Sequence, residues 1–215
     1  MNFLEKYNIT IKNKDLLLTA LTHSSYANEH ECNSYERLEY LGDAVLQVIV
    51  SDYLFNYENL SEGEMSKKRA SYVCEDALFS YSKDIGYEPY IRVGHGQLDN
   101  INETIIADVF EAILGVIYLD QGFEIAKSYI YDVVIPYIKK KVVFLMDYKS
   151  ALQEDVQTTK KSVEYVLINE EGPAHNKTFV VEARVDGILY GKGSGKSKKD
   201  AEQAAAKDAF KRRAK

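Results

Sequence analysis

Glu36-Arg37-Leu38-Glu39-Tyr40-Leu41-Gly42-Asp43-Ala44-Val45-Leu46 is the stretch on which the reading of this chain turns. At about 100° per residue in a helix, Glu39 lies about 60° from Glu36, and Asp43 returns to within about 20° of it. On a helix all three acids share one face, while Leu38, Leu41, Val45 and Leu46 form the opposite, buried flank. Three like charges this close destabilise a bare helix and disfavour one another's ionisation. A cation is expected opposite them. Clustered carboxylate oxygens on rigid backbone suit Mg²⁺, which keeps several waters and takes few carboxylates.

A second acidic pair points the same way. In Ile105-Ile106-Ala107-Asp108-Val109-Phe110-Glu111-Ala112-Ile113-Leu114-Gly115, Asp108 and Glu111 are three apart on a strongly apolar segment. An acidic pair at helical spacing is ordinarily a solvated face. Here the remaining positions are mostly apolar, so both segments are expected to be helices buried nearly all round. Buried acids need partners, and Arg37 is the only cation the two segments offer. Two core helices sharing a metal site is the economical reading.

The chain has 215 residues, 46% of them hydrophobic, enough for one good core and a smaller one. No apolar run follows an N-terminal basic segment, and no apolar stretch reaches about 18 residues, so neither a signal peptide nor a membrane span is expected. Cys32 and Cys74 lack CxxC spacing and read as reduced thiols of a cytoplasmic protein. Trp is absent, and the 17 tyrosines look like coding bias more than chemistry. The net charge of −6 is unevenly divided: residues 1–147 carry −10 and residues 148–215 carry +4. Acids that hold cations, joined to a basic block that holds a polyanion, would account for this division.

Helical spacing is expected over Asn13–Thr22, Ser34–Tyr57, Glu64–Lys83, Glu103–Leu119 and Phe123–Lys140, with a loop over Gly86–Asn102. After Met146-Asp147-Tyr148 the pattern changes to a short helix over Lys149–Lys160. Strands over Val163–Ile168, Thr178–Val185 and Gly187–Gly193 and an Ala-rich helix over Lys198–Arg212 follow. Asp186-Gly187 is a strong hairpin signal.

At these residues the first block resembles bacterial ribonuclease III, and the tail resembles its double-stranded-RNA-binding domain. The resemblance covers nearly the whole chain. Glu36–Leu46 is similar to the family signature, and three further segments follow in family order: Leu21–Glu29, Glu62–Ala70 and Ala107–Gly115. The resemblance implies an all-α catalytic domain over 1–144 and an α-β-β-β-α RNA-binding domain over 147–215. It implies hydrolysis of phosphodiesters in duplex RNA with Mg²⁺, or Mn²⁺ as a substitute, leaving 5′-phosphate and 3′-hydroxyl ends. No small-molecule cofactor is implied. Glu39, Asp108 and Glu111 would bind metal, Asp43 and Glu111 would matter most for chemistry, and Glu36 and Glu62 would assist at the rim. Processing of ribosomal RNA precursors and of structured messenger and transfer RNA transcripts would be its work.

This chemistry is physically coherent. Carboxylates alone repel a phosphodiester; metal ions reverse the local sign, polarise the phosphoryl oxygen and acidify water. His23 is expected to make a structural hydrogen bond and His95 to lie in a loop. In the tail, Ser150, Gln153, Glu154 and Gln157 recur on one helix face and resemble the family's minor-groove contacts, as does His175 in the following loop. Lys196, Lys198 and Lys199, in Gly193–Glu202, resemble a phosphate-binding turn at a helix N-terminus, where charge, dipole and free backbone N–H groups would act together. The pseudo-two-fold axis of a duplex calls for a C2 homodimer. In the family this forms through the signature helix, with Tyr40 standing where relatives commonly have Phe. The chain departs from the family in lacking an Arg after His23 and basic residues over 94–102. The alternative, a catalytically inactive duplex-RNA-binding or ribosome-associated protein, predicts lost acids; the four principal ones are present.

Overall fold

From Glu36 to Tyr57 the chain forms one unbroken helix of 22 residues, and a second, Glu103–Gln121, runs across it. The computed structural model describes residues 2–97, 101–144, 148–157, 161–173 and 177–213. They divide into two compact units, Met1–Leu145 and Met146–Lys215.

The first unit is helical: α1 (Lys14–Ala20), α2 (Ser24–His30), α3 (Glu36–Tyr57), α4 (Glu62–Tyr72), α5 (Glu75–Ile85), α6 (Glu103–Gln121), α7 (Phe123–Val133) and α8 (Ile135–Lys139). Polar caps set several starts. Asn102 Oδ1 accepts from Ile105 N–H at 2.9 Å to open α6. Ser61 and Glu64 form a reciprocal capping box that starts α4 at Glu62, ahead of the expected Glu64.

Two expected helices are each broken in two. Glu64–Lys83 divides because Cys74 is extended (φ −80°, ψ 161°) and opens α5, whose first turn holds Glu75 and Asp76 against the helix dipole. Phe123–Lys140 divides at Val134, ahead of Pro136, which has no N–H to continue the ladder.

The core lies between α3 and α6. Leu46, Ile49 and Val50 of α3 and Val109, Phe110 and Ile113 of α6 belong to it, all fully or almost fully buried. Gly42 and Gly115 let the two backbones touch. A Cβ on Gly42 would stand 1.8 Å from the Glu111 carbonyl oxygen, and one on Gly115 would stand 2.5 Å from that of Leu38. The α6 helix is buried along most of its length, as expected, but α3 is not. Tyr40, Ala44, Val48 and Phe55 form an exposed stripe, with Tyr40 83% and Phe55 76% accessible. The tyrosines are structural too: Tyr81 and Tyr87 are fully buried, and Tyr87 Oη donates to the Ile106 carbonyl at 2.6 Å.

In the second unit, helices α9 (Tyr148–Gln157) and α10 (Lys198–Arg213) pack on an antiparallel sheet of order β1 (Val163–Glu171), β2 (Thr178–Val185), β3 (Ile188–Gly195). Asp186 (φ 50°) and Gly187 (φ 78°) make the β2–β3 hairpin, pairing Val185 with Ile188. The Ala-rich pattern of α10 is a packing surface. Ala201, Ala205 and Ala209 are buried against β3, and a Cβ on Gly193 would stand 2.2 Å from Ala205 N. Among the described residues, no helix is long and apolar enough to cross a membrane.

Candidate functional site

Because Gly42 abuts the Glu111 carbonyl, the next residue on α3, Asp43, stands beside the acidic face of α6. The charges of Asp43, Glu39 and Asp108 all bear on Glu111. Burial, with these three neighbours, pushes the Glu111 carboxyl up to about 8. Burial also raises Glu39, to about 7, and Asp108, Glu36 and Asp43 add to it. Asp108 is raised chiefly by burial, against a lowering hydrogen bond from Tyr35. Five acids from two helices thus share one field, with Glu39, Asp43, Asp108 and Glu111 half-buried and Glu36 exposed.

Three of these acids also take neutral donors from the chain itself. Gln47 Nε2 donates to Asp43 at 3.1 Å, Tyr35 Oη to Asp108 at 2.9 Å and Ser34 Oγ to Glu36 at 2.9 Å. Such donors satisfy lone pairs without neutralising charge. Gln47 is legible in sequence, four residues beyond Asp43 on the same face. Tyr35 is not, because its partner lies 73 residues away.

Among the described residues, no three His, Cys, Asp or Glu side chains close up as ligands of a single ion. The acids form an open cluster whose members repel one another, rather than a finished coordination shell. The donor set nevertheless fits a hard divalent cation: oxygen only, no thiolate or imidazole, and an unmet deficit of positive charge.

Glu62 stands apart from the cluster. It opens α4, is exposed, and accepts from Ser66 Oγ at 3.0 Å. It borders a groove of about 330 Å³ with Ser51, Leu54, Phe55, Met65, Ser66 and Arg69. His23 caps α2, its ring accepting from Ser25 N–H. His95 sits in a 3-10 turn, paired with Glu29 at 2.7 Å.

In the second unit Ser150, Gln153, Glu154 and Gln157 share one face of α9, opposite buried Leu152 and Val156; Gln153 is half-buried and the other three are exposed. His175 lies outside the described residues. Lys196, Lys198 and Lys199 are exposed around the start of α10. Two expectations there change. The strand expected to end at Gly193 runs on through Gly195, and both glycines admit α10. The Asp200 N–H is not free either, since Ser197 Oγ accepts it at 3.1 Å.

Residues 13–138 match the family model described as Ribonuclease-III-like, and residues 148–212 match the double-stranded RNA binding motif. The chain is 46% identical to "Ribonuclease 3" of Streptococcus thermophilus, over 98% of each chain. It is 44% identical to "Ribonuclease 3" of Bacillus cereus, over 98% of this chain and 89% of the relative. The solved nuclease domain of ribonuclease III from Campylobacter jejuni aligns with a TM-score of 0.58 at 33% identity, covering 63% of this chain and 95% of that one. With a helical acid-bearing unit followed by a duplex-RNA-binding unit, the chain belongs to the ribonuclease III family of double-stranded-RNA endoribonucleases.

Proposed function

We propose that Glu39, Asp108 and Glu111 hold Mg²⁺, or Mn²⁺ in its place, and that Asp43 and Glu111 are the acids on which cleavage depends most. The observation that carries this is the α3–α6 crossing at Gly42 and Gly115, which sets Asp43 against Glu111, with the Glu39 carboxyl driven up to about 7 and that of Glu111 to about 8. Acids so raised bind either a proton or a metal. When bound, Mg²⁺ supplies the positive charge and Lewis acidity that phosphodiester hydrolysis needs. The chain's own residues set the stage: α3 and α6 fix the carboxylates, and Gln47 and Tyr35 orient Asp43 and Asp108 without cancelling their charge. Glu36 and Glu62 are assigned supporting roles at the rim. Products would carry 5′-phosphate and 3′-hydroxyl ends.

Residues 147–215 would grip the duplex. Ser150, Gln153, Glu154 and Gln157 suit the minor groove, with His175 as a second contact, and Lys196, Lys198 and Lys199 suit a phosphate row. The first block, 1–144, would cut. The exposed stripe of α3 supports a homodimer. In an antiparallel pairing of two α3 helices about Val48, Tyr40 reaches the end where Phe55 and the Glu62 groove lie. Cytoplasmic processing of ribosomal RNA precursors and of structured transcripts is the fitting role. The test is incubation with labelled duplex and single-stranded RNA, in Mg²⁺ or EDTA, with mapping of product ends. Cutting of single strands, or cutting in EDTA, would overturn the proposal.

A further inference from the structure

We propose that Tyr35 is a positioning residue for the metal centre, its buried hydroxyl fixing the Asp108 carboxylate from across the α3–α6 junction. This rests on the reading of Asp108 as a metal ligand. Tyr35 directly precedes α3, at the N-cap position where a short polar side chain usually serves the helix. Here the side chain makes no capping bond. It is 4% exposed and donates at 2.9 Å to Asp108 Oδ2.

Ser34 and Gln47 serve acids of the α3 segment itself; Tyr35 instead ties one helix to an acid of the other. Its backbone is pinned, with Tyr35 N–H donating to the Thr22 carbonyl at 2.9 Å. The ring lies 5.8 Å from that of His23, which is itself held as the cap of α2. The phenol is therefore a rigid post rather than a free rotor.

The choice of donor has chemical meaning. A Lys or Arg in this place would orient Asp108 but also neutralise it, weakening the attraction for a cation. A phenol orients the carboxylate and leaves its charge intact. An ordinary phenol keeps its proton at neutral pH and so remains a donor. Partners of metal-binding carboxylates typically change metal affinity by about 10- to 100-fold.

The experiment compares the full-length protein with Tyr35→Phe, Asp108→Asn and the double variant. Mn²⁺ binding is followed by electron paramagnetic resonance without RNA, duplex-RNA binding in Ca²⁺, and melting in EDTA. The expected result is about 10-fold weaker Mn²⁺ binding for Tyr35→Phe, unchanged RNA binding, and no further loss when Tyr35→Phe is added to Asp108→Asn. Mn²⁺ binding equal to the parent's would overturn the proposal. So would an equal loss in the Asp108→Asn background, or collapse of the Tyr35→Phe fold in EDTA, which would make the bond merely structural. If the parent and Asp108→Asn bind Mn²⁺ alike, it is the metal reading of Asp108 that fails.

Discussion

Replacing Glu111 by Gln removes one buried charge while keeping volume and shape, and its effect should change with pH. The carboxyl titrates at about 8 in the folded chain against an ordinary 4.5, with burial the largest cause and Asp43, Glu39 and Asp108 following. The folded state holds this proton more tightly than the unfolded one, so metal-free stability falls as pH rises from 4.5 through about 8. At about 1.4 kcal/mol per pKa unit, the difference between those two values sets a ceiling of about 5 kcal/mol. Solvent access and the coupled acids reduce this to about 2 kcal/mol. In a unit of this size that corresponds to roughly 6 °C. Calorimetry in EDTA should therefore find the nuclease transition of Glu111→Gln about 6 °C above the parent's near pH 8.5, and level with it near pH 5. Added Mg²⁺ should stabilise the parent more than the variant, and the variant should bind duplex RNA in Ca²⁺ without cutting it in Mg²⁺. An equal difference in melting temperature at both pH values would refute the buried-anion reasoning. Cutting at the parent's rate would refute the role assigned to Glu111.

Gly42→Ala should separate α3 from α6, since the new Cβ meets backbone at 1.8 Å; a loss of about 3 kcal/mol or more in denaturant unfolding is expected, together with loss of cleavage. Lys198→Ala with Lys199→Ala should weaken binding to every duplex sequence alike and reduce the slope of log K against log salt by about 2. An unchanged slope in a salt titration would count against the phosphate assignment. Phe55→Asp, on the exposed stripe of α3, should shift sedimentation at micromolar concentration toward the 24.5 kDa monomer; a parent protein already monomeric while cutting both strands would contradict the dimer.

Local spacing was enough to put Glu36, Glu39 and Asp43 on one face, to pair Asp108 with Glu111, and to mark the Asp186-Gly187 turn. Helical period and turn chemistry belong to the backbone near each residue, so a single stretch of sequence carries them. The Val73–Cys74 and Val134 breaks are local as well, but they interrupt an otherwise continuous apolar pattern and so escape a periodicity argument. The tertiary structure decided what no spacing encodes. It left one side of α3 uncovered, kept Glu62 away from the acid cluster, and turned Gly195 from a presumed loop into part of a seat for α10. It also gave Asp108 a phenol donor from 73 residues away. Those outcomes depend on which surfaces meet across dozens of residues. Backbone contact at Gly42 and a hydrogen bond spanning 73 positions exist only once the core between α3 and α6 has closed.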